Sequence, residues 1–360
     1  MQLDDPLTVA FEAAEGNTLA LVGGKGASLA RMVAAGSAVP LGFTVTTKAY
    51  HATLGPDLLA AIAAPLKGLA AGDTASLETH ADAIRNRIRA LSLPANVEAG
   101  IRAGYAAICA RFGTDLPVAV RSSATAEDMP DASFAGQQDT YLWVVGADDV
   151  VAKIKDCWAS LFTSRAIAYR QHNNISHTDT HMAVVVQKMV DAAAAGVAMT
   201  LDPVNGDRSK IIIDASYGLG ELVVSGEVTP DNFVVDRVML QIIMRKLGSK
   251  HQELLPDRAA RKTVLREVAP ERRGAASVTD AQIIEVARIS KALDKQFGGP
   301  QDIEWAIDRE RTEGEGVVLL QCRPETVWSR KPQAPAVANP YATGIEGMLG
   351  SLLAGTPVKL

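Results

Sequence analysis

Apolar residues recur at helical spacing through 58–112 and again through 151–171. Short apolar runs at 117–121, 182–190, 196–202 and 210–214 are bounded by Gly, Pro or Asp and predict strands. The mixture predicts an α/β (α+β) body. Residues 246–275 are charged and weakly periodic, so a surface excursion between strands is expected there. The stretch 279–297 (TDAQIIEVARISKALDKQF) then predicts an amphipathic helix with Thr279 as its N-cap. DIEWAID at 302–308 and VVLLQCRPET at 317–326 alternate apolar and polar residues across the short charged segment 309–316, the pattern of a β-hairpin. Beyond it come a Pro/Ala linker, KPQAPAVANP, and GIEGMLGSLLAG, where Ile345, Met348, Leu349, Leu352 and Leu353 fall on one helical face. No internal repeat is visible.

The hairpin carries the most pointed chemistry. Residues two apart on a strand share a face, so Gln321 and Arg323 look the same way and Glu304 can sit across from them. An acidic oxygen beside an amide oxygen suits a hard divalent cation, and a neighbouring Arg suits the phosphate that such a cation bridges. The pairing points to a metal-nucleotide site.

Three further segments point towards phosphate. In LVGGKGASLARMVAAG, 21–36, a Gly-rich turn leads into a helix expected to begin near Ala27; a helix N-terminus favours an anion, and Lys25 adds a point charge. It is not a Walker A loop, because Leu19 and Gly26 stand where that motif needs Gly and Ser or Thr. A turn with a surface lysine reads equally well. In LPVAVRSSATAEDMPDASFAGQQDT, 116–140, a buried strand delivers Arg121 at its end, the hydroxyls of Ser122 and Ser123 follow, and a small-residue loop can approach a triphosphate. A structural ion pair is the other use of such an arginine. In 181–233, the strand ending in Gln187, Lys188, Met189 and Val190 can hold a flat base, with Met189 on the ring and backbone groups at its edge, or can be plain core. Gly218, Gly220 and Glu221 can place a carboxylate near a ribose, or form a tight turn.

Composition narrows the classes. The 360 residues, 48% hydrophobic and 21% charged, are enough for two or three packed lobes, and a net charge of −5 without a Lys/Arg stripe argues against a nucleic-acid binder. Cys109, Cys157 and Cys322 lie far apart in no metal or disulfide pattern, which fits a reduced, cytoplasmic setting. No export signal and no apolar run of about 18 residues appears. His51, His80, His172, His177, His181 and His251 are scattered and receive no role, with His172 and His177 expected at exposed helix ends.

Taken together, GGKGASL, VRSSATAED, ASFAGQQ, VVVQKMV, YGLGELVVSGEVTPD, DIEWA and QCRPET closely resemble the ATP-binding domain of phosphoenolpyruvate synthase and pyruvate phosphate dikinase, the domain that also opens rifampicin phosphotransferase. The motifs follow the family's order from about residue 15 to 328. The resemblance implies an ATP-grasp fold, with lobes at 1–190 and 191–329 clasping Mg-ATP, and a linker and amphipathic tail at 330–360. It implies that Lys25, Arg121 and Arg323 contact phosphates, with Arg323 on the terminal one. The loop 133–137, including Ser133, Gly136 and Gln137, would cover them; Gln187, Lys188, Met189, Val190 and Glu221 would line the adenosine pocket. Glu304 and Gln321 would hold magnesium, with manganese as an alternative ion. Cys322 stands where the family usually has Ala.

Members of that family continue into a swivelling domain whose histidine accepts the β-phosphoryl group of ATP, and then into an acceptor-binding domain. Neither is seen before Leu360, and the chain is expected to act as a free-standing subunit. In this it is similar to the ATP-binding subunit of phenylphosphate synthase, which implies a separate partner carrying the histidine and phenol as acceptor. The tail is expected to dock on that partner. A phosphoenolpyruvate synthase half-enzyme acting on pyruvate shares every residue discussed. An antibiotic phosphotransferase would keep its domains in one chain, and a non-catalytic nucleotide sensor would not need Glu304, Gln321 and Arg323 together.

Overall fold

Two antiparallel sheets drawn from consecutive stretches of chain organise the protein. A computed structural model describes residues 6–13, 18–68, 73–125, 128–129, 132–133 and 139–328, without the side chains of 67, 68, 128, 129, 132 and 133. Gly136, Gln137, the side chain of Ser133 and the expected tail helix therefore lie outside the described residues. The described residues up to Glu325 belong to one compact unit.

The first stretch runs β1 (Thr8–Ala10), α1 (Leu19–Ala34), β2 (Gly42–Val45), α2 (Thr47–Ala63), α3 (Thr74–Arg89), α4 (Ala95–Phe112), β3 (Val118–Ala124), the short strands β4 (Asp128–Met129) and β5 (Ala132–Ser133), β6 (Thr140–Val144), α5 (Ala147–Ser160), α6 (Ser164–His172) and β7 (Met182–Lys188). Its five-stranded sheet has the order β1-β2-β7-β3-β6. The strands β2, β3 and β7 are almost wholly buried, which is why they read as continuous apolar runs and not as alternation. Tyr50, Ile101, Trp158 and Phe162 pack with them into the largest core cluster.

The second stretch runs β8 (Ala192–Met199), β9 (Lys210–Tyr217), α7 (Glu221–Val224), β10 (Asp231–Asp236), β11 (Ile242–Lys246), β12 (Gln252–Asp257), β13 (Lys262–Glu267), α8 (Pro270–Arg273), α9 (Asp280–Phe297), β14 (Gln301–Asp308) and β15 (Val317–Pro324). Its six-stranded sheet has the order β11-β10-β9-β8-β14-β15. Small residues in β8 suit its central place: a side chain at Gly196 would run into the backbone of Asp214 on β9.

The expected helix at 279–297 is α9. Thr279 accepts from the Gln282 backbone N–H at 3.2 Å, and the Gln282 side chain accepts from the Thr279 N–H at 2.9 Å, closing a capping box. The expected hairpin is β14–β15, antiparallel, with Glu304 directly opposite Gln321 and Asp302 opposite Arg323.

Some expectations are corrected. The excursion 246–275 is structured: β12 and β13 pair along six residues of each strand, a hairpin whose charged positions conceal its alternation. The helix expected to begin near Ala27 begins at Leu19 and is broken at Gly23, where φ is +69°. His177 is not an exposed helix-end residue: it is half-buried, and its Nδ1 accepts from Arg170 Nε at 3.0 Å. Among the described residues no helix is long and apolar enough to cross a membrane, and all three cysteines are free thiols.

Candidate functional site

The site is assembled where β3 of the first sheet meets the β14–β15 hairpin of the second. Arg121 occupies the fourth position of β3 and is only 9% exposed. Its Nη2 donates to Glu304 Oε2 at 3.0 Å and to Gln321 Oε1 at 2.7 Å, and its Nη1 donates to the Leu320 carbonyl at 3.0 Å. A bulge explains the third contact. The register passes from Glu304↔Gln321 to Trp305↔Leu319, so Leu320 is an extra residue on β15 without a cross-strand partner, and Arg121 binds its carbonyl. Arg121 Nε is buried and has no hydrogen-bond partner, an orphan donor beside the two side-chain oxygens.

Those oxygens are the chemistry a hard cation takes. One guanidinium nitrogen already sits between a carboxylate oxygen and an amide oxygen, so the pair lies close enough to share a cation. Among the described residues no group of three or more His, Cys, Asp or Glu side chains is arranged to hold a metal. A magnesium ion on Glu304 and Gln321 would therefore complete its shell with water and phosphate oxygens, which is how that ion is commonly held.

Asp302 joins this surface and was missed in the sequence, although the alternation of DIEWAID puts it on the face of Glu304. It lies 3.6 Å from Arg323. Burial pushes its carboxyl above the ordinary range, Arg323 pulls it down, and Glu325 adds to the rise. Arg323 is half exposed at the mouth of the site, with its Nε towards Asp302.

The Gly-rich segment is fastened to β3 beside Arg121. Ser123 Oγ donates to the Val22 carbonyl at 2.8 Å and accepts from the Gly26 N–H at 3.1 Å. Gly23, left-handed at φ +69°, packs so closely on Ser123 that no Cβ fits. This fastening fixes the buried Lys25 on a segment joined to the strand that carries Arg121. The hydroxyls of Ser122 and Ser123 are thus internal braces: that of Ser122 donates to the Asp139 carbonyl at 3.2 Å. Further along α1, Ser28 Oγ donates to the Cys322 carbonyl, tying α1 to β15. Cys322 itself is buried and its thiol is pushed up to about 12 by burial.

The expected adenosine-pocket residues are brought together in part. Met189 and Val190 pack with Leu219, Leu222, Ala306 and Val318 in one apolar cluster, joining the end of β7 to the turn that precedes Glu221. Gln187 is buried and donates from Nε2 to the Pro40 carbonyl at 3.2 Å. Lys188 pairs with Glu310 at 3.1 Å, its ammonium 5.1 Å from the Phe112 ring. The backbone N–H groups of Lys188 and Met189 are already spent on the Leu41 and Pro117 carbonyls. Glu221 faces a cleft of about 440 Å³ lined also by Thr140, Trp143, Lys153, Lys262 and Thr263.

Fold and site together define an α/β protein with a phosphate- and metal-suited surface between two antiparallel sheets. A family described as pyruvate phosphate dikinase, AMP/ATP-binding domain, matches residues 19–341, and the chain belongs to that family. The resemblance drawn from the motifs therefore holds. The phosphoenolpyruvate synthase of Aeropyrum pernix is 39% identical over 368 residues, covering 95% of this chain and 45% of the relative. A probable phosphoenolpyruvate synthase of Methanothermobacter thermautotrophicus is 42% identical over 318 residues, 88% of this chain and 45% of the relative. The phosphoenolpyruvate synthase of Pyrococcus furiosus is 39% identical over 363 residues, with shares of 90% and 44%. The chain spans less than half the length of each of these relatives.

Proposed function

We propose that the chain is the ATP-binding part of a dikinase-type phosphotransferase, an ATP-grasp unit whose two lobes, 1–190 and 191–329, close on Mg-ATP. The supporting observation is the convergence of Arg121, Glu304 and Gln321 from two sheets on one point. A histidine on a separate subunit attacks the β-phosphorus and AMP leaves. Hydrolysis of the γ-phosphoryl group then releases phosphate and leaves the β-phosphoryl on the histidine.

The chain's own residues position and neutralise, which is most of what phosphoryl transfer requires. Arg121 turns its fork, including the orphan Nε, towards phosphate oxygens, while Lys25 approaches from the segment braced by Ser123. Arg323 binds the terminal phosphate from the rim. The loop 133–137 covers the phosphates, Met189 packs on the base, and Glu221 receives the ribose. Glu304 and Gln321 would hold magnesium, which would supply charge neutralisation to the phosphate chain when bound.

Pyruvate is the better supported acceptor of the phosphohistidine, because the relatives reported above bear the name phosphoenolpyruvate synthase. This reverses the expectation taken from the subunit arrangement, which put phenol first. ATP labelled at the β-phosphorus tests the reading. AMP release and acid-labile label on a histidine-bearing partner are expected when both proteins and magnesium are present, with label passing to pyruvate. Nucleotide binding without AMP release or label in the complete mixture would overturn it, and label passing to phenol alone would overturn the acceptor.

A further inference from the structure

Arg170 lies in the last turn of α6 and is 0% exposed. Around it is the core that α2, α5 and α6 share with the five-stranded sheet. Its Nε donates to His177 Nδ1 at 3.0 Å, and its guanidinium carbon sits 5.4 Å from the Phe162 ring. Nη1 and Nη2 are buried and have no hydrogen-bond partner. Among the described residues no carboxylate pairs with Arg170; its charge interactions are with the phenol of Tyr50 and with His177.

The neighbouring polar atoms add donors. Tyr50 Oη and Trp158 Nε1 are likewise buried without partners, on rings whose centroids are 6.0 Å apart. His177 accepts on Nδ1, so its own proton is on Nε2. His181, with a buried and unpartnered Nδ1, lies edge-on to His51 at 4.3 Å, and His51 meets Tyr50 at 5.5 Å. Burial brings the arginine down only to about 10, which leaves it charged at neutral pH.

A buried charge without a partner is strongly disfavoured, and native interiors compensate it. The C-terminal end of α6 offsets part of the charge, but neither Nη atom bonds a carbonyl there. Water would satisfy the donors and leave the charge. We propose that Arg170 Nη1 and Nη2, with Tyr50 Oη and Trp158 Nε1, form an internal binding site for one small monovalent inorganic anion, of which chloride is the common cellular representative. A single anion answers the surplus of donors and the surplus of charge together, and a core walled by Tyr50, Trp158 and Phe162 favours a compact one. The site is independent of the nucleotide reading.

The test uses the full chain. Melting midpoints are compared in sodium chloride, sodium bromide and sodium gluconate at equal ionic strength, and crystals grown in bromide are examined for anomalous scattering. The expected result is a midpoint that rises saturably with halide but not with gluconate, and a bromide peak within hydrogen-bond reach of Arg170. Tyr50→Phe keeps the ring and removes one donor, and should weaken the apparent halide affinity by about 10-fold. Water alone or a carboxylate at Arg170 in the bromide crystals would overturn the proposal. So would halide-independent melting, or an unchanged halide response in Tyr50→Phe.

Discussion

Arg121 and Glu304, 183 residues apart in the chain, meet as an ion pair of 3.0 Å that joins the five-stranded sheet to the six-stranded one. The same guanidinium nitrogen reaches Gln321, so a cation already occupies the angle between the two oxygen donors. A divalent ion and Arg121 cannot both hold that position. Binding of Mg-ATP would hand the oxygens to the metal and release the guanidinium to phosphate. On the proposed function, the pair would be a structural tie without nucleotide and would separate into a metal ligand and a phosphate contact with it.

Arg121→Met removes the tie and the phosphate contact together. Transfer of the β-phosphoryl group should fall about 10²-fold or more, the scale of losing one preorganised charge contact. Stability should fall by only ~1–3 kcal/mol, because Glu304 keeps access to solvent. Rates with labelled ATP and denaturant midpoints check the two parts; full activity would remove Arg121 from the phosphate site.

Glu304→Gln tests the metal half alone. It preserves shape and removes the charge that a hard cation needs. Mn²⁺ binding in the presence of a non-hydrolysable ATP analogue, followed by electron paramagnetic resonance, should weaken by at least about 10-fold. Arg323→Ala, half exposed at the rim, should leave that Mn²⁺ affinity within about 3-fold while abolishing phosphohistidine formation. Equal losses of metal affinity in the two variants would contradict the division of roles.

The hairpin was legible because its alternation has a period of two and its turn is short, and the register then follows from the pairing. The Leu320 bulge was not, since a bulge is a matter of backbone geometry and no residue type announces it. The helix α9 was legible to its cap because the Thr279 and Gln282 side chains are local. In contrast, Ser123 looked like a group available to ligand, and only the fold shows its hydroxyl spent on Val22 and Gly26, about a hundred residues upstream. The β12–β13 hairpin escaped notice because its exposed faces are charged, which hides strand periodicity.

Gly23→Ala would place a Cβ against the backbone of Ser123 and require a left-handed φ of +69° from an alanine. The segment carrying Lys25 must then lift off β3. Nucleotide affinity should drop at least about 10-fold, with a stability loss of ~1–3 kcal/mol. Gly36→Ala is the control: its φ is +75° but nothing lies within 4 Å of a Cβ there, so it should show backbone strain without the nucleotide effect. Equal effects of the two on nucleotide binding would mean that the contact with Ser123 is unimportant.

Acid should destabilise the first sheet's core through His177. Burial first, and then the charge of Arg170, lower its imidazole from 6.5 to about 4. Between those values the unfolded chain binds a proton that the folded chain refuses, so stability is complete above about pH 6.5 and declines as the pH falls towards 4. Protonation would also set a donor against Arg170 Nε. Melting midpoints from pH 7 to 4 should fall more steeply in the native chain than in His177→Asn, whose amide oxygen can accept from Arg170 without titrating. Parallel curves would assign the acid sensitivity elsewhere.

Lys250→Met should be the most damaging single change outside the nucleotide surface. Lys250 and Asp231 are both 0% exposed and form an ion pair, with Lys250 also donating to the Gly248 carbonyl at 2.8 Å. Asp231 accepts besides from the Gly248 N–H at 3.0 Å and from Ser277 N and Oγ at 2.7 and 2.8 Å. Removing one partner strands a carboxylate in the interior, which costs ~3–5 kcal/mol, whereas replacing both partners costs less because no charge is left behind. The double variant Asp231→Asn with Lys250→Met should therefore be more stable than Lys250→Met alone, as denaturant midpoints would show. The pair also braces the segment before β12, whose Leu254 carbonyl accepts from Leu219 at 2.9 Å next to the turn that carries Glu221. Nucleotide affinity should consequently weaken in Lys250→Met even at temperatures where the chain remains folded. Full nucleotide affinity in a destabilised Lys250→Met chain would limit the pair to holding the fold, and a loss below about 1 kcal/mol would show that solvent reaches Asp231 after all.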